Sequence, residues 1–133
     1  MTKHASGAFD VKVTPLPSEF KADSGLGRML LDKQYHGDLD ATGKGEMLYA
    51  GGPGKGSGGY VAIEQVSGTL QGRSGSFVLQ HSGTMTPGAT HMTITVVPDS
   101  GTGQLAGMTG SLTIKIDNGQ HFYELEYSLP ETP

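Results

Sequence analysis

Along most of the chain apolar and polar residues alternate with a period of two, and clusters of glycine or proline interrupt the alternation at short intervals. The pattern predicts strands at residues 5–14, 28–36, 37–49, 60–71, 74–86, 90–97, 111–117 and 120–129. The second and third are either separate or one long strand bent at Gly37, because Leu31, Lys33, Tyr35, Gly37, Leu39 and Ala41 hold one phase throughout. Asp117-Asn118-Gly119 joins Leu112, Ile114 and Ile116 to Tyr123, Leu125 and Tyr127, and Asn-Gly favours the type I′ hairpin turn. Gly72-Arg73 suits a type II′ turn, which would pair Gln71 with Ser74 and set Glu64 opposite His81. Strands joined by tight turns, with no crossover helices, predict one domain over 1–133. Its expected form is all-β, a closed antiparallel β-barrel of about eight strands, since closure removes exposed sheet edges.

Composition sharpens this. Of 133 residues 22 are glycine and seven are proline, and the longest window free of both is Gln120–Leu129. No sizeable helix fits between such breakers, so helical bundles and doubly wound α/β folds are excluded. Leu, Ile, Val and Phe together number 27, which makes the core thin. A net charge of −4 with nine Lys plus Arg offers no basic groove, so nucleic acid is not an expected partner. The chain has no cysteine, hence no disulfide framework, and Met1–Ser6 lacks the apolar run of a signal peptide. A reducing, cytoplasmic setting is expected, and no run is apolar and long enough for a membrane-spanning helix.

Several motifs fail on context. Gly54-Lys55-Gly56-Ser57-Gly58-Gly59 matches the dinucleotide fingerprint by letter, but Tyr60-Val61-Ala62-Ile63 continues it as a strand where a helix N-terminus is needed. The glycine-rich loop is read instead as a connection, with a lid over the barrel mouth as the functional version. His4, His36, His81, His91 and His121 show no i,i+2 or i,i+4 pairing, so no metal site is expected. Ser82 lacks the G-x-S-x-G elbow, and the absence of tryptophan removes the lipocalin signature. No cofactor is implied.

The informative signal is polar residues in phase with apolar ones. His81 shares a face with Phe77, Leu79 and Met85; Glu64 with Tyr60, Ala62 and Val66; Lys33 with Met29, Leu31 and Tyr35. Two readings stand side by side. Glu64, His81 and Lys33 form a hydrogen-bonded structural layer, or they form an acid–base group in an apolar lumen. In the second reading Tyr35, Tyr60, Phe77, Leu79, Tyr123 and Tyr127 line the ligand. Val61 and Ile63 make the other face of the Glu64 strand apolar too. Either that pair or Tyr60, Ala62 and Val66 must face outward, and an exposed apolar strip is the kind of surface through which a homo-oligomer forms.

Five blocks of the chain resemble a bacterial domain-of-unknown-function family of nearly this length: Leu31–Leu39, Lys44–Leu48, Gly75–Met85, Val97–Gly107 and Gly110-Ser111. Gln80-His81-Ser82-Gly83-Thr84-Met85 and Pro98-Asp99-Ser100-Gly101-Thr102-Gly103 are the most specific of them. The family is grouped with allene-oxide-cyclase-like, calycin-like barrels, whose members bind an apolar substrate and steer its cyclisation by shape without a cofactor. The resemblance therefore implies an eight-stranded barrel with an interior of small-molecule size. The expected function is binding of a small, mostly apolar molecule in the lumen, with a cofactor-independent isomerase or cyclase as its enzymatic version. A non-catalytic binding or oligomeric interaction protein with a solid core is the alternative.

Overall fold

The computed structural model describes residues 2–19, 25–51 and 57–130, so most of the glycine-rich loop proposed as a lid lies outside the described residues. Eight strands follow one another around a closed barrel: β1 (Lys3–Leu16), β2 (Leu26–Tyr35), β3 (Leu39–Gly51), β4 (Gly58–Leu70), β5 (Arg73–Thr86), β6 (Ala89–Val96), β7 (Thr109–Asp117) and β8 (Gln120–Ser128). All neighbours are antiparallel, and β8 returns to β1 through pairs such as Ala5 with Leu125. The alternation read from the sequence fixes the inner wall. Strands β2 and β3 are separate and pair with each other, Tyr35 opposite Ala41, with Gly37 at φ 93 in the turn between them, so the single bent strand does not form.

One register differs from the sequence reading. The β4–β5 turn is Gln71-Gly72, not Gly72-Arg73: Leu70 pairs with Arg73, and Glu64 faces Leu79 while His81 faces Ala62. Both central residues have positive φ, 47° at Gln71 and 86° at Gly72, as a type I′ turn requires. The Gln71 side chain holds the turn to the closed end of the barrel, its amide donating to the His4 carbonyl at 3.0 Å and its oxygen accepting from the Tyr127 hydroxyl. Slipping by two residues leaves every side chain on its predicted face. Glu64 and His81 both still point inward, but they are diagonal neighbours.

The closed end is filled by Phe9, Tyr35, Leu39, Val66, Leu70, Phe77, Leu79, Leu105, Met108, Tyr123, Leu125 and Tyr127, which pack as one buried cluster. Strand β6 pairs only with the upper part of β5, from Leu79 onward, which leaves the edge of Arg73–Val78 to be covered otherwise. The segment from Val97 to Met108, with a short 3-10 turn at Gly103–Leu105, does this. Ser74 N donates to Gln104 Oε1 at 2.8 Å, Ser76 N to Thr102 Oγ1 at 3.0 Å and Val78 N to Ser100 Oγ at 3.0 Å. The Pro98–Gly103 motif is therefore an edge cover, and it drops Leu105 and Met108 into the barrel as a plug. Between β6 and β7 the register holds at the single pair Thr95 and Ser111.

The Tyr123 hydroxyl secures the β2–β3 turn from inside, accepting from Leu39 N at 2.8 Å and donating to the His36 carbonyl at 2.7 Å. Tyr123→Phe leaves a buried N–H without its acceptor. It is expected to lower stability by about 1–3 kcal/mol in urea denaturation with unchanged far-UV circular dichroism; a loss below a few tenths would mean the hydroxyl is replaceable.

Candidate functional site

Glu64 sits at the level where the packed interior ends. It is 2 % exposed and has two donors: Lys33 Nζ at 2.9 Å from Oε1 and the Tyr35 hydroxyl at 2.5 Å from Oε2. Lys33 and Tyr35 belong to β2 and Glu64 to β4, so these side chains must cross the inner face of β3. They can because β3 carries glycine at that level. A Cβ on Gly43 would lie 2.0 Å from Glu64 Oε2 and 3.1 Å from the Tyr35 ring. The glycine notch in an otherwise regular strand is the signal that sequence reasoning missed, since a glycine inside a strand often marks close approach by another group. The ammonium of Lys33 also lies 5.2 Å from the Phe9 ring centroid and 5.9 Å from that of Tyr35. Burial, reinforced by the Glu64 charge, pushes the Tyr35 phenol far above its ordinary range, so it stays protonated and donates.

A second polar pair lies on the next strand. Tyr60 on β4 and His81 on β5 are joined at 2.5 Å between the hydroxyl and Nε2, with their rings edge to face at 4.9 Å. Here again glycine makes the room: a Cβ on Gly83 would come within 2.6 Å of the Tyr60 ring. Desolvation first, and the nearby Lys33 charge second, lower the His81 pKa to about 4, so the imidazole is neutral near pH 7. Burial raises the Tyr60 pKa, which keeps the phenol protonated. The floor of the upper lumen thus holds one neutralised ion pair and one neutral hydrogen-bonded pair.

Above that floor the inward positions are apolar and only partly covered. Met29 and Met47 are direct cross-strand partners and half-buried, while Met85 and Met92, in phase with His81 and Ile94, are 39 and 43 % exposed. Four of the six methionines of the chain thus take inward-phase positions, on β2, β3, β5 and β6. Of the residues assigned to ligand lining, Tyr35, Phe77, Leu79, Tyr123 and Tyr127 lie in or below the packed cluster, and only Tyr60 stands at the open level. Glu64, Lys33 and Tyr35 are brought into direct contact; His81 is held by Tyr60 and feels Lys33 through space. Tyr60 also borders a groove of about 530 Å³ that runs over the outer wall past Leu48, Val61 and Ser82. Among the described residues no three His, Cys, Asp or Glu side chains are grouped to hold a metal ion, and no helix is long and apolar enough to cross a membrane.

Fold and site together define a small meander β-barrel whose packed core is bordered by a buried Lys–Glu–Tyr layer. The chain belongs to the DUF3224 family of proteins of unknown function, whose model matches residues 5–127. It is similar to the crystal structure of a DUF3224 protein of unknown function from Shewanella oneidensis, with 50 % identity and a TM-score of 0.93 over 99 % of this chain and 100 % of that one. No curated protein matches.

Two outcomes follow from the buried layer. Lys33→Met strands a buried carboxylate and is expected to cost about 3–5 kcal/mol in urea denaturation, whereas Lys33→Met with Glu64→Gln recovers most of it; equal losses in the two would show that the charges are not coupled. For His81, the folded form resists protonation down to about pH 4 while the unfolded ring titrates near its ordinary 6.5. Its contribution to stability is therefore fully present above pH 6.5 and is lost as pH falls from there towards 4. His81→Gln should flatten the stability–pH curve in that window relative to wild type, and an unchanged slope would mean the ring is not desolvated.

Proposed function

We propose that this protein binds a small, mostly apolar, uncharged molecule in the open end of the barrel, over the Tyr60–His81 pair. The observation that carries this reading is the set of four inward-phase, half-covered methionines beyond a charge-balanced floor. Met29, Met47, Met85 and Met92 point into the lumen yet keep solvent contact, and flexible thioether side chains adapt to irregular apolar surfaces. The floor supplies orientation: a phenol and a neutral imidazole offer hydrogen bonds to a carbonyl or hydroxyl. With Lys33 and Glu64 engaged with each other, a charged ligand gains no net attraction there.

For catalysis, the sequence reading put Glu64, His81 and Lys33 together as an acid–base group. In the proposed site Glu64 and Lys33 set the field, and any proton exchange with a ligand falls to Tyr60 and His81, which stand nearest the opening. An imidazole with a pKa of about 4 is a weak base at neutral pH. Binding is accordingly the reading we favour, and isomerisation or cyclisation of a confined apolar substrate is its enzymatic extension.

The neutral fluorophore N-phenylnaphthylamine tests the location. Wild type should bind it with a blue-shifted signal, and Met85→Glu and Met92→Glu, both at exposed positions, should each weaken binding at least about tenfold, while Val61→Glu on the outer wall should not. Absence of binding, or sensitivity at Val61 with none at the methionines, would contradict the proposed site.

A further inference from the structure

The outer wall carries a second apolar surface, independent of the lumen. On β2, β3 and β4 the outward residues Leu30, Leu48, Val61 and Ile63 are 37, 53, 53 and 52 % exposed. The strand registers make them one patch: Leu30, Glu46 and Ile63 form one row, and Arg28, Leu48 and Val61 the next. Within it lies a single ion pair, Arg28 with Glu46, the guanidinium also donating to the Pro17 carbonyl at 3.0 Å. Polar residues border the patch, Gln80 and Ser82 on β5 and the row Asp32, Lys44 and Gln65 beneath it. An apolar centre inside a polar rim is the anatomy of a protein–protein interface.

We propose that this face is the contact between two copies of the chain, related by a two-fold axis. One observation selects a second copy. The patch is electrically self-complementary: it holds one cation and one anion side by side, so a two-fold copy sets Arg28 of each protomer against Glu46 of the other. The face is continuous across three neighbouring strands, lies outside the barrel and leaves the mouth clear, so the dimer does not depend on the ligand reading.

Sedimentation equilibrium or native mass spectrometry of the wild-type protein should give twice 13.8 kDa at micromolar concentration. Val61→Lys and Ile63→Lys, at positions already half-exposed, should raise the dissociation constant more than tenfold without loss of thermal stability at equal monomer content. Arg28→Glu and Glu46→Arg should each be monomeric alone, and an equimolar mixture of the two should restore a heterodimer. A wild-type protein that stays monomeric to millimolar concentration, or a dimer insensitive to both lysine variants, would overturn the proposal. If the lysine variants dissociate the dimer but the charge variants fail to reassemble on mixing, the two-fold exchange of Arg28 and Glu46 is wrong.

Discussion

The buried carboxylate of Glu64 is the constraint around which the interior is arranged. An ionised group that is 2 % exposed is tolerable only with partners that neutralise and hydrogen-bond it. Lys33 and Tyr35 supply both, and they reach Glu64 only because Gly43 removes a side chain from the strand between them. The layer so formed joins β2 to β4 across β3, at the level where the packed aromatic and aliphatic cluster gives way to half-covered methionines. Below it water is excluded by Tyr35, Phe77, Tyr123 and the Leu105–Met108 plug; above it the side chains are longer, unbranched and half-covered. The same layer sets the electrostatics of His81, because the Lys33 ammonium adds to desolvation in disfavouring its protonation.

The fold was legible because a meander barrel writes its pattern locally. Alternation identified all eight strands, Asn118-Gly119 marked the last hairpin, and glycine and proline ruled out helices. The inward phase of His81, Glu64 and Lys33 was readable for the same reason: period-two alternation survives any even shift of register. What could not be read was which of two glycine-containing dipeptides formed the β4–β5 turn. Both supply a positive φ, and the choice was made by Gln71, whose side chain bonds to β1 and to Tyr127, groups distant in sequence.

The partners within the site were less legible than its members. Glu64 was expected opposite His81, and it bonds instead to two residues of β2, across a strand that alternation alone treats as an uninterrupted wall. The glycines at 43 and 83 fell inside predicted strands; their role as notches, one under Glu64 and one under Tyr60, depends on which side chains lean over them. Likewise the Pro98–Gly103 motif stood out as a specific block, and its work is to satisfy the backbone donors of β5 beyond the end of β6. A motif can be specific because an edge must be closed, with no ligand involved.

The central claim is that the barrel is open and ligand-competent above the Lys33–Glu64–Tyr35 layer and solid beneath it. Methionine methyl NMR tests this directly, because the chain places reporters on both sides. On titration with N-phenylnaphthylamine, the methyl signals of Met29, Met47, Met85 and Met92 should shift together and saturate at one stoichiometric equivalent, while that of Met108 in the closed-end plug stays fixed. Shifts at Met108, or none at the four methionines of the open end, would contradict the account.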